Sequence, residues 1–143
     1  MNHHVSRVLI VDDDEGHAIL IRENLEAAGL RARIEHLSDG QAVLDFFAKG
    51  VAHPDAFLVL LDIRMPKVDG IEVLRRLKSD PVLSKLPVIM LTTTDDTREI
   101  NRCYTLGCNG YIQKPVDYKK FADAIRNLGL FVPLLLIPTV GTS

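Results

Sequence analysis

The feature that most constrains the fold is an alternation of short apolar runs with longer stretches of helical periodicity, repeated five times along the chain. Three of the runs are continuously apolar, which is typical of strands covered on both faces in a parallel sheet. Another run alternates apolar and polar residues and indicates a more exposed edge strand, and the last run is weakly apolar. The predicted strands are residues 8–11, 31–37, 57–61, 88–91 and 110–113.

Between these runs, apolar residues recur three or four positions apart, which predicts helices. Asp39, either Asp95 or Asp96, and Asp117 stand where helix N-caps are needed, and Gly107 follows the fourth helical stretch. Right-handed crossovers between parallel strands place helices on both faces of the sheet, so the sequence predicts a doubly wound α/β domain of five βα units. The predicted helices cover roughly residues 15–28, 39–47, 71–79, 96–106 and 117–128.

The composition fits one ordinary globular domain and argues against two classes of partner. The 143 residues are 47% hydrophobic and 25% charged, and 17 Lys+Arg against 19 Asp+Glu give a net charge of −2. This balance offers no electrostatic basis for direct nucleic-acid binding, and the absence of an apolar run of about 20 residues predicts no membrane span. Cys103 and Cys108 are too few for a disulfide scaffold, so we predict buried thiols and a cytoplasmic protein.

Polar residues follow four of the predicted strands. The acidic run 12–14 (Asp-Asp-Asp) follows the first, Asp62 the third, Thr92 opens a threonine triplet at the fourth, and Lys114 follows the fifth. The carboxyl ends of parallel strands meet at one edge of the sheet, so we expect these side chains to gather there. Taken singly, an acidic run is often a helix N-cap, and a lone Asp or Thr often completes a turn. Their combination at four strand ends favours a functional site.

Electrostatics indicate what such a site would bind. Two carboxylates about 4 Å apart repel each other by roughly 4 kcal/mol at an effective dielectric of about 20, so a cation among them is favoured. Oxygen ligands without His or Cys at the strand ends indicate Mg²⁺. Lys114 would then hold an anion such as a phosphoryl group, to which Thr92 can donate a hydrogen bond. A carboxylate in this setting can act as a nucleophile toward phosphorus and form an acyl phosphate.

Four segments resemble the receiver domain of bacterial two-component response regulators, in the order in which that family carries them. They are VLIVDD at 8–13, LLDIRMPKVDG at 60–70, VIMLT at 88–92 and GYIQKP at 110–115. The resemblance covers about residues 5–128 and implies a flavodoxin-like sheet with strand order 2-1-3-4-5. It also implies that Asp62 accepts a phosphoryl group from the phosphohistidine of a histidine kinase. The chain would then be a signalling protein rather than a conventional enzyme, with at most weak autophosphorylation or autodephosphorylation.

The resemblance also implies roles for individual residues. Asp13 and Asp62 would hold Mg²⁺ directly and Asp12 would hold it through water, with the main-chain carbonyl of Arg64 completing the protein ligands. Lys114 would bind a phosphoryl oxygen.

The implied switch uses Thr92, which would move toward the phosphoryl group, and Tyr111, which would rotate into the vacated space. The Lys114–Pro115 bond would be cis. Arg64 and Thr94 occupy positions that border the path of the hydrolytic water in this family. Arg64 either crowds that path and prolongs the phosphorylated lifetime, or points to solvent.

The resemblance divides the chain into a receiver domain at 5–128 and an apolar C-terminal arm at 129–143, with no room for an output domain. Output would therefore be through protein–protein contacts. The segment DDDEGHA at 12–18, the long loop 78–87 and the apolar arm resemble, more narrowly, the single-domain regulators that are paired with phytochrome-type histidine kinases. His17 within the first of these segments is predicted to be a packed or capping residue rather than a ligand.

The arm has more apolar residues than a core covered by five helices needs, so it indicates an association surface. Pro133 and Pro138 predict an extended or strand-like arm rather than a long helix. We expect a homodimer in which the arms contact the partner subunit; the alternative is an arm folded back on its own domain. The predicted dimer residues are Leu130, Phe131, Val132, Leu134, Leu135, Leu136 and Ile137.

Two other functions remain open at this point. Asp12 and Asp14 follow the first strand and are separated by one residue. The same Asp-x-Asp pattern after a first strand is typical of small aspartyl phosphatases of the haloacid dehalogenase type, although those enzymes usually have a longer core or a cap. The second alternative is a purely structural dimer module whose acidic site has lost its function. The presence of all the polar residues at the four strand ends disfavours this alternative.

Overall fold

The computed structural model describes residues 5–51, 54–93, 95–114 and 118–136, and its sheet confirms the predicted topology. Five parallel strands lie in the order β2-β1-β3-β4-β5. The strands are β1 (Arg7–Val11), β2 (Arg33–Leu37), β3 (Phe57–Asp62), β4 (Val88–Thr92) and β5 (Gly110–Gln113). The helices are α1 (Glu15–Ala27), α2 (Gly40–Ala48), α3 (Gly70–Ser79), α4 (Thr97–Leu106) and α5 (Tyr118–Leu136), with short 3-10 turns at Pro54–Ala56 and Leu83–Lys85.

The central strand explains why its sequence is continuously apolar. All six residues of β3 are buried, and Leu60 pairs with Ile10 of β1 on one side and Ile89 of β4 on the other. The outer strands differ: β2 is only partly buried, and the burial of β5 alternates along its length. The alternation of apolar and polar residues in β2 correctly predicted an edge strand. β5, whose sequence is only weakly apolar, forms the opposite edge of the sheet.

Alternate residues of the strands supply two core layers, one on each face of the sheet. One layer packs under α1 and α5, where Ile21, Leu25, Phe121 and Ile125 meet side chains such as Ile10. The other packs under α2, α3 and α4 and is larger. Its members include Leu9, Val11, Val43, Phe47, Val59, Val73, Leu74, Leu77 and Cys103. Helices on both faces leave the carboxyl edge of the sheet open between them.

Aspartate N-caps begin four of the helices. Asp14, Asp39, Asp69 and Asp96 each accept a hydrogen bond from a backbone N–H of the first turn that follows them. The structure thus chooses Asp96 of the two caps predicted for α4. Asp117, the cap predicted for α5, and Pro115 of the predicted cis bond lie outside the described residues.

The prediction of an extended arm from residue 129 is wrong for its first eight residues. Helix α5 runs without interruption from Tyr118 to Leu136 and includes Pro133. Proline removes one backbone donor from a helix and crowds the carbonyl four residues earlier, which here belongs to Gly129. The leucines on either side have high helix propensity, and the helix continues past this single lost bond. Ile137 and the rest of the predicted arm lie outside the described residues.

Candidate functional site

The carboxyl ends of the strands form a cleft of about 390 Å³ that contains most of the predicted site. Asp12 directly follows β1, Asp62 is the last residue of β3, and Lys114 directly follows β5. These elements are neighbours because β1 and β4 flank β3, and β5 pairs with β4. The residues that line the cleft are Asp12, Asp13, Asp14, His17, Asp62, Arg64, Thr93 and Lys114.

Three carboxylates converge in this cleft. Oxygen atoms of Asp12, Asp13 and Asp62 lie within 4.8 Å of one another. Asp12 is fully buried and Asp62 is 6% exposed, whereas Asp13 faces solvent. The backbone N–H of Asp14 donates to Asp12 Oδ1 at 2.9 Å, which fixes the innermost carboxylate. The cluster is therefore rigid on its inner side and open on its outer side.

Lys114 provides a buried positive charge against two of these carboxylates. Its Nζ lies 2.5 Å from Asp12 Oδ2 and 3.3 Å from Asp62 Oδ2, and the residue is 7% exposed. Its backbone N–H donates to the carbonyl of Thr92 at 2.6 Å, which ties the residue to the end of β4. Counting Lys114 and the three clustered carboxylates alone, this group of side chains has a formal excess of negative charge.

The electrostatics of Asp62 follow from this geometry. Burial is the largest influence and raises the pKa of the carboxyl to about 6; the charge of Lys114 opposes the rise, and the negative charge of Asp12 adds to it. The backbone N–H of Arg64 also donates to this carboxylate, which favours the ionised form. Asp62 is thus an ionised but destabilised carboxylate near neutral pH, which a second positive charge would stabilise.

The donor set fits a hard divalent cation such as Mg²⁺. It consists of carboxylate oxygens, it is partly open to solvent, and its negative charge exceeds that of Lys114. Asp12, Asp13 and Asp62 are the side chains that would hold the ion. The main-chain carbonyl of Arg64 stays a predicted ligand.

The loop between β3 and α3 is held close to Asp62 by a glycine. A Cβ on Gly70 would lie 2.1 Å from the carbonyl oxygen of Asp62, so any side chain there would displace the loop. The backbone N–H of Gly70 donates to the carbonyl of Ile63 at 2.8 Å and closes the turn. Within the same loop, Lys67 has a φ of 68°, a conformation that non-glycine residues seldom adopt. Asp62 thus directly precedes a tightly constrained turn.

Arg64 lies in the cleft but is anchored to a neighbouring helix. Its guanidinium donates to Glu99 Oε2 of α4 at 3.0 Å, while the side chain stays 67% exposed. Neither sequence interpretation included this pair: the side chain is solvated, yet it has a definite partner. Thr94, the other residue predicted to border the water path, lies outside the described residues.

The two predicted switch residues lie in different surroundings. Thr92 ends β4 and is fully buried, one strand away from Asp62. Tyr111 lies on β5, is 37% exposed, and packs edge-to-face on Tyr104 of α4 with ring centroids 6.1 Å apart. The structure therefore places Tyr111 at the surface of α4 and β5, outside the cleft.

His17 was not recognised as a site residue from the sequence. Its Nδ1 lies 3.3 Å from Lys114 Nζ, and 3.8 and 3.7 Å from Asp12 Oδ2 and Asp14 Oδ2. The usable signal was its spacing: a residue three positions after an N-cap aspartate lies in the first helical turn, beside the strand end. The capping interpretation is correct for its backbone N–H, which donates to Asp14, and the packing interpretation is correct for its ring, which lies edge-to-face on Phe121.

The cysteines have the predicted structural environment. Cys103 and Cys108 are free and buried, and burial raises the pKa of the Cys103 thiol to about 11. A thiol with so high a pKa is a poor nucleophile and a poor metal ligand near neutral pH.

Comparison with known proteins gives one consistent family. The model of the response regulator receiver domain family matches residues 8–126. The probable methanogenesis regulatory protein FilR2 of Methanothrix harundinacea is 37% identical over 123 residues, which cover 85% of this chain and 79% of that protein.

Solved structures show the same fold. A response regulator receiver domain from Rhodospirillum rubrum is 45% identical with a TM-score of 0.81, covering 87% of this chain and 92% of the other. The phosphorylated cyanobacterial phytochrome response regulator RcpA is 29% identical with a TM-score of 0.80, covering 90% and 94%. The response regulator RPA3017, from red light signaling of R. palustris, is 32% identical with a TM-score of 0.73, covering 88% and 92%. Within the described part of this chain, no helix is long and apolar enough to span a membrane.

Proposed function

This chain belongs to the response regulator receiver family, and from that premise we propose that it accepts a phosphoryl group on Asp62 from a histidine kinase in a Mg²⁺-dependent phosphorelay. The observation that carries the proposal is the cleft itself. It combines a nucleophilic carboxylate, that of Asp62, with two further carboxylates suited to a divalent cation. The buried ammonium of Lys114 lies close to Asp62 and to Asp12, one of those two carboxylates. Receiver domains are signalling domains rather than conventional enzymes, which disfavours the phosphatase alternative.

Asp62 has the chemistry of a phosphoryl acceptor. With its pKa raised to about 6, the carboxyl is mostly ionised at pH 7.5 and is poorly stabilised as an anion. In the proposed transfer, one of its oxygens bonds to phosphorus while the P–N bond of the phosphohistidine breaks. The electron pair of that bond stays on the departing imidazole nitrogen. The product is an acyl phosphate at Asp62.

The other residues of the cleft, together with Thr92 at the end of β4, stabilise the transferred group. Mg²⁺ at the three aspartates would supply positive charge for the phosphoryl oxygens. Lys114 binds a phosphoryl oxygen through its ammonium, and the Thr92 hydroxyl donates to another. Each of these contacts neutralises charge that develops on the phosphoryl group during transfer.

Output is proposed to pass through the surface that contains Tyr111. Phosphorylation would draw Thr92 toward Asp62 and favour a Tyr111 rotamer that packs inward, away from its present contact with Tyr104. Two discrete states of this surface, biased by contacts to the phosphoryl group, would give partners a differential affinity. The proposed partners are other proteins in the cytoplasm rather than nucleic acid or membranes. The net charge of −2 gives no electrostatic basis for binding nucleic acid.

A light-sensing kinase of the phytochrome type is the proposed phosphoryl donor. Support comes from RcpA and from RPA3017, which are similar over about nine-tenths of this chain and whose names place them in phytochrome or red light signalling. Transfer from a purified phytochrome kinase, labelled in its phosphorylated form, should be faster than transfer from an unrelated histidine kinase. Equal transfer rates would argue against this partner.

The central test is phosphorylation by a small-molecule donor. Wild type should incorporate one phosphoryl group per chain from acetyl phosphate in Mg²⁺, and far less in EDTA. Asp62→Asn should incorporate none, while Asp45→Asn, which removes a carboxylate from α2 instead, should match wild type. Rapid multiple turnover of a phosphatase substrate would instead favour the haloacid dehalogenase alternative. A folded wild type that takes up no phosphoryl group would refute the proposal.

We also propose a homodimer formed through the apolar stretch from residue 129 onward. That stretch now begins as the last two turns of α5, so it would contribute a helical surface rather than a strand. Light scattering should give a dimer mass for the full chain and a monomer mass after truncation following Gly129. Leu135→Glu keeps the chain length and should weaken the dimer as well. A monomeric full chain would contradict the proposal.

A further inference from the structure

His17 lies in the first turn of α1, against the inner wall of the cleft. The phosphoryl transfer proposed above uses the carboxylates, Lys114 and Thr92, and it leaves His17 without a role. Its contacts, however, connect it to the ammonium of Lys114, which has to remain in the cleft when ligands bind to the carboxylates.

The ammonium of Lys114 has three protons to donate, and three acceptors from the described residues lie around it. Two are Asp12 Oδ2 at 2.5 Å and Asp62 Oδ2 at 3.3 Å, and the third is His17 Nδ1 at 3.3 Å. An ammonium has no lone pair, so the imidazole nitrogen must be the acceptor in this contact. Of the three, His17 is the one that carries no negative charge while it accepts.

Its surroundings hold the imidazole in place. The backbone N–H of His17 donates to Asp14 Oδ1 at 3.1 Å, in the N-cap of α1. The ring packs edge-to-face on Phe121 of α5, with centroids 5.9 Å apart, and Phe121 is fully buried. Helix position and ring contact thus both fix where Nδ1 lies.

We propose that His17 is a positioning residue for Lys114, holding its ammonium at the cleft while the carboxylates engage other ligands. The inference rests on the proposed function, in which Asp12 and Asp62 turn from Lys114 toward a cation and a phosphoryl group. His17 Nδ1 then remains as an acceptor, and the ammonium stays where an incoming phosphoryl oxygen arrives. Without it, the four-carbon stem of Lys114 is free to leave the cleft and must be reordered for each transfer.

Two variants separate the acceptor from the shape of the side chain. His17→Leu keeps a branched apolar group against Phe121 and removes the acceptor. His17→Asn restores an acceptor one bond beyond Cγ, the same place that Nδ1 occupies. Urea unfolding of both variants establishes that they fold.

The first measurement is the ¹⁵N signal of the Lys114 ammonium in metal-free, lysine-labelled protein, assigned by its loss in Lys114→Met. In His17→Leu, proton exchange from this ammonium should speed up by about tenfold, the loss expected for one hydrogen bond to a charged group. In His17→Asn the signal should stay close to that of wild type. An unchanged signal in His17→Leu overturns the proposal.

The second measurement is the phosphorylation rate with acetyl phosphate at saturating Mg²⁺. His17→Leu should lower the maximal rate by about tenfold with little change in the half-saturating donor concentration, and His17→Asn should recover most of it. Equal losses in both variants would contradict the proposal, because the acceptor would then be irrelevant. If wild type itself is not phosphorylated while the Lys114 signal responds as expected, the proposed function fails and the His17 contact is supported.

Discussion

Replacing Asp62 by Asn should stabilise the metal-free protein, because the Asp62 carboxylate is held in an unfavourable environment. Burial and the neighbouring charge of Asp12 raise its pKa from 3.8 to about 6, so ionising it costs more in the folded protein than in the unfolded chain. A difference of about two pH units, at about 1.4 kcal/mol each, corresponds to an upper bound of about 3 kcal/mol above pH 6. Asn stays polar and gives up the attraction of Lys114, so we expect a gain of about 1–2 kcal/mol.

The pH dependence gives this prediction its sign. Between about pH 4 and pH 6, the folded protein keeps a proton on Asp62 that the unfolded chain has lost. The stability of wild type relative to Asp62→Asn should therefore fall as the pH rises through this window and level off above it. Between pH 7.5 and pH 4.5 the advantage of Asn over wild type should fall by about 2 kcal/mol, which removes most or all of it.

Urea unfolding followed by far-UV circular dichroism is the suitable assay, because the chain has no tryptophan. The measurements are made in EDTA at both pH values. Asp123→Asn, an exposed aspartate of α5, is the matched control for the loss of one negative charge. The reasoning is refuted if Asp62→Asn is no more stable than this control at pH 7.5, or if its advantage is the same at pH 4.5. Free Mg²⁺ at ten times its dissociation constant should stabilise wild type by about 1.4 kcal/mol and so narrow the gap.

Three further changes test the surroundings of the cleft. Gly70→Ala should lose at least about 2 kcal/mol of unfolding free energy in urea, since its Cβ would lie 2.1 Å from the Asp62 carbonyl oxygen; wild-type stability would contradict the close approach. Arg64→Ala and Glu99→Gln should each cost less than about 1 kcal/mol, because the guanidinium end of this pair is exposed to solvent. Arg64→Ala should nevertheless release phosphate faster than wild type; an unchanged release rate would show that Arg64 does not shield the acyl phosphate. Lys78→Met should cost about 1–3 kcal/mol in the same urea assay, because the ammonium donates to two carbonyls of the loop after α3, and a neutral result would mean that water replaces it.

The sheet was predictable from the sequence because a strand that is buried on both faces has a continuous run of apolar residues. Every residue of β3 is buried, so its sequence shows no polar interruption until Asp62, where the strand reaches the cleft. Helix starts were predictable for a similar reason, since Asp39 and Asp96 satisfy backbone donors within three residues of themselves. Both signals are local in the chain, and both are dictated by groups that must be desolvated or hydrogen-bonded.

The features that sequence reasoning missed depend on contacts between distant segments. Arg64 and Glu99 are 35 positions apart, and His17 and Lys114 are 97 apart, so no periodicity or spacing indicates that either pair is in contact. The spacing of His17 from its N-cap aspartate places that residue alone in the first helical turn. The continuation of α5 through Pro133 is a different case. Proline inside a helix has an average free-energy cost, and the rule that it ends a helix reflects that cost. In α5, a helix of 19 residues, the remaining backbone hydrogen bonds outweigh this cost.

The charge balance of the cleft argues that it was not selected for folding stability. Lys114 is one cation, and a single buried carboxylate at the 2.5 Å distance of Asp12 would suffice as its partner. Asp62 adds a second carboxylate that burial makes unfavourable, and Asp13 adds a third at the open side. A structural ion pair does not need these additional negative charges, whereas a site for a divalent cation and a phosphoryl acceptor requires them. The alternative of a purely structural module therefore predicts that Mg²⁺ stabilises neither wild type nor the neutral variants of Asp13 and Asp62. Proposed phosphoryl transfer predicts that each loses most of the stabilisation that Mg²⁺ gives wild type, since each removes one of the oxygen donors that converge there.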